Sequence, residues 1–158
     1  MNPRLDAALG YAARGWPVIP LHNVLAEGGC SCRRDGCGTT AKHPRTQHGL
    51  KDASTDPEVI KRWWKRWPDA NIGIVTGAAS GVWVVGPDGD EGVRDLERLS
   101  SEHRPPPPTY TVRSGSGGRH LYFRWPANGK PIPNRRNHRG LRIDVRAAGD
   151  GPGYVVAP

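Results

Sequence analysis

Leu5, Ala8, Leu9 and Ala12 recur at i, i+3, i+4 and i+7, the spacing of one buried face on an α-helix. Gly15 is placed to stop that helix in a left-handed cap. Pro17 to Leu21 then reads as a short strand, and its prolines suit a sheet margin better than a centre. From Gly28 to Gly49 the chain loses almost all apolar content and becomes a loop of Cys, His, Gly, Arg and Lys. Thr55-Asp56-Pro57-Glu58 carries the Thr-x-x-Glu pattern of a capping box, with proline in the first turn. The helix it predicts holds Val59, Ile60, Trp63, Trp64 and Trp67, sets Lys61, Arg62, Lys65 and Arg66 on its other face, and ends at Pro68.

Beyond it the pattern shortens to strands. Ile72–Thr76 and Val82–Val85 read as neighbouring strands joined by a Gly/Ala/Ser turn. Glu91–Leu99 is a predicted helix and Pro105–Pro108 a stiff extended spacer. Strands Thr109–Arg113 and Arg119–Trp125 flank the glycine hairpin Ser114–Gly118. Pro126–Gly140 is a basic loop, and Leu141–Arg146 and Tyr154–Val156 complete the strand set. The expectation is one α/β (α+β) domain over 1–158, with the loop 28–49 inserted in it.

Composition narrows this picture. The 158 residues suffice for one domain with a real core but hardly for two. A net charge of +8, rich in arginine, favours a polyanionic partner, most often nucleic acid. No apolar run approaches a membrane span and no signal-peptide core is present, so a cytoplasmic protein without a membrane partner is expected. Six tryptophans that need burial argue against disorder throughout.

All three cysteines cluster as Cys30-x-Cys32 and Cys37, with His43 six residues on. The count is odd and a Cys-x-Cys bridge is strained, so disulfides fit poorly. Three thiolates and one imidazole make a closed structural Zn²⁺ site; free surface cysteines are the alternative, and His48 competes with His43 as fourth ligand.

The acids allow two readings. Asp88 and Asp90 would share a face if the strand through Val82–Val85 ran on through them; otherwise Asp88-Gly89-Asp90-Glu91 is a turn and helix cap. Asp144 interrupts an apolar strand, and a buried carboxylate needs a partner or a metal. Arg142 and Arg146 could pair with it, less readily if they project from the opposite face. His120 directly follows Ser114-Gly115-Ser116-Gly117-Gly118, whose small side chains let backbone N–H groups approach a phosphate. A core histidine is the bland alternative. Carboxylates at strand ends beside a histidine and a phosphate-sized loop are the parts of metal-assisted nucleotide chemistry.

In the order AALGYAARGWPVIPL, Cys-x-Cys…Cys…Lys-His-Pro-Arg, GLKDASTDPEVIKRWWKRWPDANIGIVTG, VWVVGPDGDEG, SGSGGRHLYF and LRIDVRAAGDGPGYVVAP, the chain resembles the bifunctional DNA primase/polymerase N-terminal (prim-pol) domain. This family serves phage, plasmid and some bacterial replication proteins within the archaeo-eukaryotic primase superfamily. The resemblance implies a catalytic core with an RRM-like mixed sheet flanked by helices, plus the zinc loop. It implies nucleotidyl transfer from NTPs or dNTPs on a single-stranded or primed DNA template with Mg²⁺ or Mn²⁺, and a helicase as partner. By position, Asp88 matches the second acid of the family's Asp-x-Asp/Glu motif and Asp144 the third metal-site acid. His120 matches the nucleotide-binding histidine, with Ser114, Ser116, Gly117, Gly118 and Arg119 beside it. Cys30, Cys32, Cys37 and His43 match the zinc loop.

One departure stands out: Gly86 and Pro87 occupy the positions of the family's first catalytic Asp and the apolar residue after it. Asp90 is the candidate substitute. A primase/polymerase is therefore expected, against a non-catalytic nucleic-acid and nucleotide-binding module of the same fold, or a metal-dependent nuclease. Family members continue past Val155-Val156-Ala157-Pro158, which implies a fragment or a shortened relative.

Overall fold

The computed structural model describes residues 1–115, 117–128, 130–148 and 153–158; Ser116 of the predicted phosphate loop lies outside them. The elements are α1 (Pro3–Ala12), β1 (Val18–Leu21), α2 (Pro57–Arg66), β2 (Asn71–Thr76), β3 (Val82–Pro87), α3 (Gly89–Glu102), β4 (Thr111–Arg113), β5 (Arg119–Arg124), β6 (Ile143–Arg146) and β7 (Gly153–Val156). The fold is mixed α+β, with two sheets and three helices. Two compact units divide the chain: Met1–Val75 with Tyr154–Ala157, and Thr76–Gly153 with Pro158.

In the first unit the sheet runs β1-β2-β7, with β1 antiparallel to β2 and Ile19 opposite Gly73. A Cβ at Gly73 would stand 2.9 Å from Ile19 Cγ2, so glycine there makes room for the β1 side chains. α1 starts as its sequence demands: Asn2 Oδ1 accepts the N–H groups of Arg4 (3.0 Å) and Leu5 (3.3 Å). Gly15 takes φ +78° beyond its end. α2 is capped one residue later than the capping-box pattern suggests, because Asp56 Oδ1, not Thr55, accepts the Glu58 N–H at 2.8 Å. Aspartate caps as well as threonine, and its carboxylate also suits the helix dipole. Ala8, Ala12, Val18, Ile60, Trp64, Ala70 and Ile72 close into one buried cluster. Trp64, 1% exposed, donates its indole N–H to the Ala70 carbonyl at 3.2 Å.

The second unit follows the path strand, helix, strand, strand, loop, strand. Its sheet order is β4-β5-β3-β6, and all three pairings are antiparallel where a mixed sheet was expected. This is a split βαβ arrangement in which the basic loop stands where a second helix would. β2 and β3 are not neighbours: they lie in different sheets. Gly77, which follows β2, takes φ +113°.

The pleat of the second sheet sorts its residues into two faces. Trp83, Val85, Leu121 and Phe123 share one face and line, with Leu96 and Leu99 of α3, an apolar cavity of about 450 Å³. Val84, Gly86, Tyr122 and His120 share the other. Of the predicted nucleotide-site residues, Asp88, His120 and Asp144 sit on that second face or at its upper end, whereas Arg119, two before Leu121, falls on the first.

Candidate active site and metal cluster

The antiparallel ladders place residues in rows across the second face. One row runs Val112, His120, Gly86, Asp144: Val112 is opposite His120, and Gly86 is opposite Asp144. Val85 pairs with Leu121, which sets the next residues, Gly86 and His120, side by side. A Cβ built on Gly86 would meet His120 Cδ2 at 3.4 Å and Asp144 O at 3.8 Å. Position 86 is therefore the centre of the row, flanked by two of the predicted site residues, and it carries no side chain.

At the sheet's upper end the backbone closes tightly. Asp88 N–H donates to Arg142 O at 2.9 Å, and Ser114 N–H donates to Gly118 O at 2.9 Å. A Cβ at Gly118 would fall 2.3 Å from Pro87 O and 2.8 Å from Gly89 N. The glycine hairpin thus lies against the β3–α3 junction, and only glycine permits that approach. Gly117, at φ +86°, faces Asp90, whose Oδ1 a Cβ there would meet at 3.8 Å.

The acids divide accordingly. Asp88 is the N-cap residue of α3, at φ −96° and ψ 122°, and continues the parity of Gly86. Gly89 then turns to φ +60° and Asp90 falls in the first helical turn. The turn-and-cap reading holds, and the expected strand-like convergence of Asp88 with Asp90 does not occur. Asp90 faces the hairpin at Gly117.

Asp144 is held from two sides. Its Oδ1 accepts the Asn137 backbone N–H at 2.9 Å and its Oδ2 the Arg146 guanidinium at 2.5 Å. Arg146 was expected on the opposite face; residues two apart on a strand share a face, and the ion pair forms. Arg142 reaches 3.9 Å from Asp88 and 3.8 Å from Glu91, exposed contacts of small energetic weight. Asn137 itself gave no signal in the sequence, since a backbone donor can be any residue. Its turn is unusual all the same: Asn137 (φ +46°), Arg139 (φ +54°) and Gly140 (φ +80°) are all left-handed. Arg135 exchanges both backbone hydrogen bonds with Val145, so the basic turn is fastened to β6 beside Asp144.

Two carboxylates on one face suit a single Mg²⁺ or Mn²⁺ that draws its other ligands from substrate phosphates and water. Among the described residues no group of three acid, histidine or cysteine side chains converges there. A third carboxylate, as a two-ion site needs, would have to stand at Gly86.

The first unit carries a different site. One ligand atom each from Cys30, Cys32, Cys37 and His43 lie within 4.8 Å of one another, a Cys₃His group that could hold a metal ion. Burial opposes ionisation of Cys30, yet hydrogen bonds from the Ala41 and Cys32 N–H groups and from the Cys32 and Cys37 thiols bring its pKa down to about 7. That favours a thiolate, the ligand form. His48 points elsewhere: its Nδ1 is 3.1 Å from Asp52 Oδ1. Arg45 fixes the loop's return, donating to Leu21 O (3.1 Å), Asn23 Oδ1 (2.5 Å) and Ser31 Oγ (2.6 Å). Asn71 Nδ2 adds a bond to Ala41 O at 3.0 Å.

A four-stranded antiparallel sheet thus carries a histidine, two acids and a glycine hairpin on one face, and a Cys₃His loop lies in the other unit. Residues 8–158 match the family model for the bifunctional DNA primase/polymerase N-terminal domain. The chain belongs to that family. No curated protein matches it. Among the described residues no helix is long and apolar enough to cross a membrane.

Proposed function

We propose that this domain is a template-directed nucleotidyltransferase of DNA replication whose rate is held down by Gly86. In the proposed arrangement a nucleoside triphosphate lies on the second face of the four-stranded sheet. His120 donates a hydrogen bond to a phosphate oxygen, and the backbone N–H groups of Gly115 and Gly118 take up the rest of the chain of phosphates. Asp88 and Asp144 would hold Mg²⁺ or Mn²⁺, which when bound neutralises the phosphates and acidifies the attacking hydroxyl. The reaction joins a primer 3′-oxygen to the α-phosphorus and releases pyrophosphate. Arg135, Arg136 and Arg139 would follow the template phosphates. Zn²⁺ in the Cys₃His group would brace a loop with no core of its own.

The observation that supports this reading is the row His120–Gly86–Asp144, with the hairpin packed against Asp88. The same row favours a second reading, a module that binds triphosphate and DNA without turnover, because its central carboxylate is missing. Labelled-nucleotide incorporation on primed single-stranded DNA with Mn²⁺ separates the two. Extension by the natural chain, rising by orders of magnitude in Gly86→Asp, supports the transferase. Extension in neither protein, with dNTP still bound, supports the binding module. Shortening of the primer would instead indicate a nuclease.

A further inference from the structure

Tyr110 extends the site in a direction that neither the acids nor the hairpin explain. It precedes β4, and its carbonyl accepts the Tyr122 N–H at 2.9 Å, so it stands opposite Tyr122. Tyr122 is opposite Val84, and Val84 is opposite Arg146. Tyr110, Tyr122, Val84 and Arg146 therefore form a row on the same face as the His120 row, displaced by two residues, roughly 7 Å. Displaced equally the other way are Ser114, Gly118, Asp88 and Arg142, paired through the bonds Ser114 N–H to Gly118 O and Asp88 N–H to Arg142 O. Three successive rows thus offer phosphate-sized backbone at the hairpin, polar side chains in the middle, and aromatic rings at the end. From Ser114 to Tyr110 the strand covers about 14 Å, the reach of an extended nucleoside triphosphate.

The ring is also presented as a platform. Tyr110 is 54% exposed, while Tyr122 behind it is 4% exposed, and their centroids are 5.3 Å apart at 59°. The Thr109 hydroxyl bonds to the Tyr122 carbonyl, fixing the backbone just before it. An exposed ring braced by a buried one loses little freedom when a flat ligand lies on it. Nearly every other large apolar side chain among the described residues is covered; Met1 and Val24 are the others that are not.

We propose that Tyr110 is a stacking platform for a nucleobase, set one row beyond the row of His120. The inference rests on the triphosphate reading for its direction but on the exposed ring for its chemistry. Two sources could supply the base: the bound nucleotide, or a single strand passing over the sheet. Stacking a base on an aromatic ring is worth enough for about a tenfold change in affinity on truncation.

The test is a binding comparison of wild type, Tyr110→Ala and Tyr110→Phe with three probes: dATP, inorganic tripolyphosphate and a short oligo(dA). The expected result is about tenfold weaker dATP binding in Tyr110→Ala, unchanged tripolyphosphate binding, and near wild-type behaviour in Tyr110→Phe. Weaker oligo(dA) binding alone would keep the platform and assign its base to the single strand. Unchanged affinity for both base-bearing probes would overturn the proposal. So would an equal loss for tripolyphosphate, which would make Tyr110 a support of the hairpin. Failure of the wild type to bind either triphosphate would sink the reading of the phosphate site, and the oligo(dA) arm would then decide Tyr110 by itself.

Discussion

The carboxylate of Asp144 accepts the backbone N–H of Asn137 at 2.9 Å, so the acid proposed to hold a cation also fastens the basic turn. Replacing it separates the two roles. Asp144→Asn keeps an oxygen for Asn137 and should cost less stability than Asp144→Ala, which leaves the Arg146 guanidinium without its acceptor at about 1–3 kcal/mol. Thermal melts of the two variants should show that order. Single-stranded DNA affinity should fall in Asp144→Ala and stay closer to wild type in Asp144→Asn. Equal loss in both would disconnect the turn from Asp144.

The hairpin offers a matched pair of glycines. A methyl at Gly118 would lie 2.3 Å from Pro87 O, whereas one at Gly115 would meet nothing within 4 Å. Gly118→Ala should destabilise by about 1–3 kcal/mol and abolish dNTP binding. Gly115→Ala should do neither. Denaturant melts and dNTP titrations of both proteins check this, and a benign Gly118→Ala would mean that the hairpin can stand away from the β3–α3 junction.

Arg139 holds a left-handed conformation, φ +54°, that glycine adopts more easily. Arg139→Gly should therefore melt no lower than wild type yet bind DNA more weakly. If the side chain contacts a phosphate, the slope of log K against log salt should shrink by roughly 0.7 for a single strand. An unchanged slope would remove Arg139 from the interface.

Metal removal should act on the first unit. A strong chelator, or Cys32→Ser, should lower the melting temperature and expose the loop 28–49 to protease. His48→Ala should leave metal content unchanged, because that side chain engages Asp52. Loss of bound metal in His48→Ala would overturn the choice of His43.

Much of this architecture could be read in the chain because local rules agreed with the outcome. α1 follows its apolar spacing, and α2 and α3 begin within two residues of their caps. The Cys₃His group was legible because four side chains of metal-ligating type fall close together in the chain. What could not be read depended on contacts made across the sheet. Ile72–Thr76 and Val82–Val85 share a pattern, but nothing local says that they enter different sheets. The pairing of Asp144 with Arg146 was misjudged on strand parity, and its bond to Asn137 involves a backbone donor that no residue type advertises. Gly118 reads in the sequence as room for a phosphate; in the fold it is also room for the carbonyl of Pro87. Tyr110 lacked any motif, and its interest lies wholly in the row it joins.

β7 pairs into the first sheet although it follows every strand of the second. A ribosome making this chain must therefore finish the four-stranded sheet before it can supply the third strand of the sheet that began first. Until then β2 offers an unpaired edge, the kind of template on which chains cross-pair and aggregate. Any shortened version that stops ahead of Gly153 would leave that edge open for good.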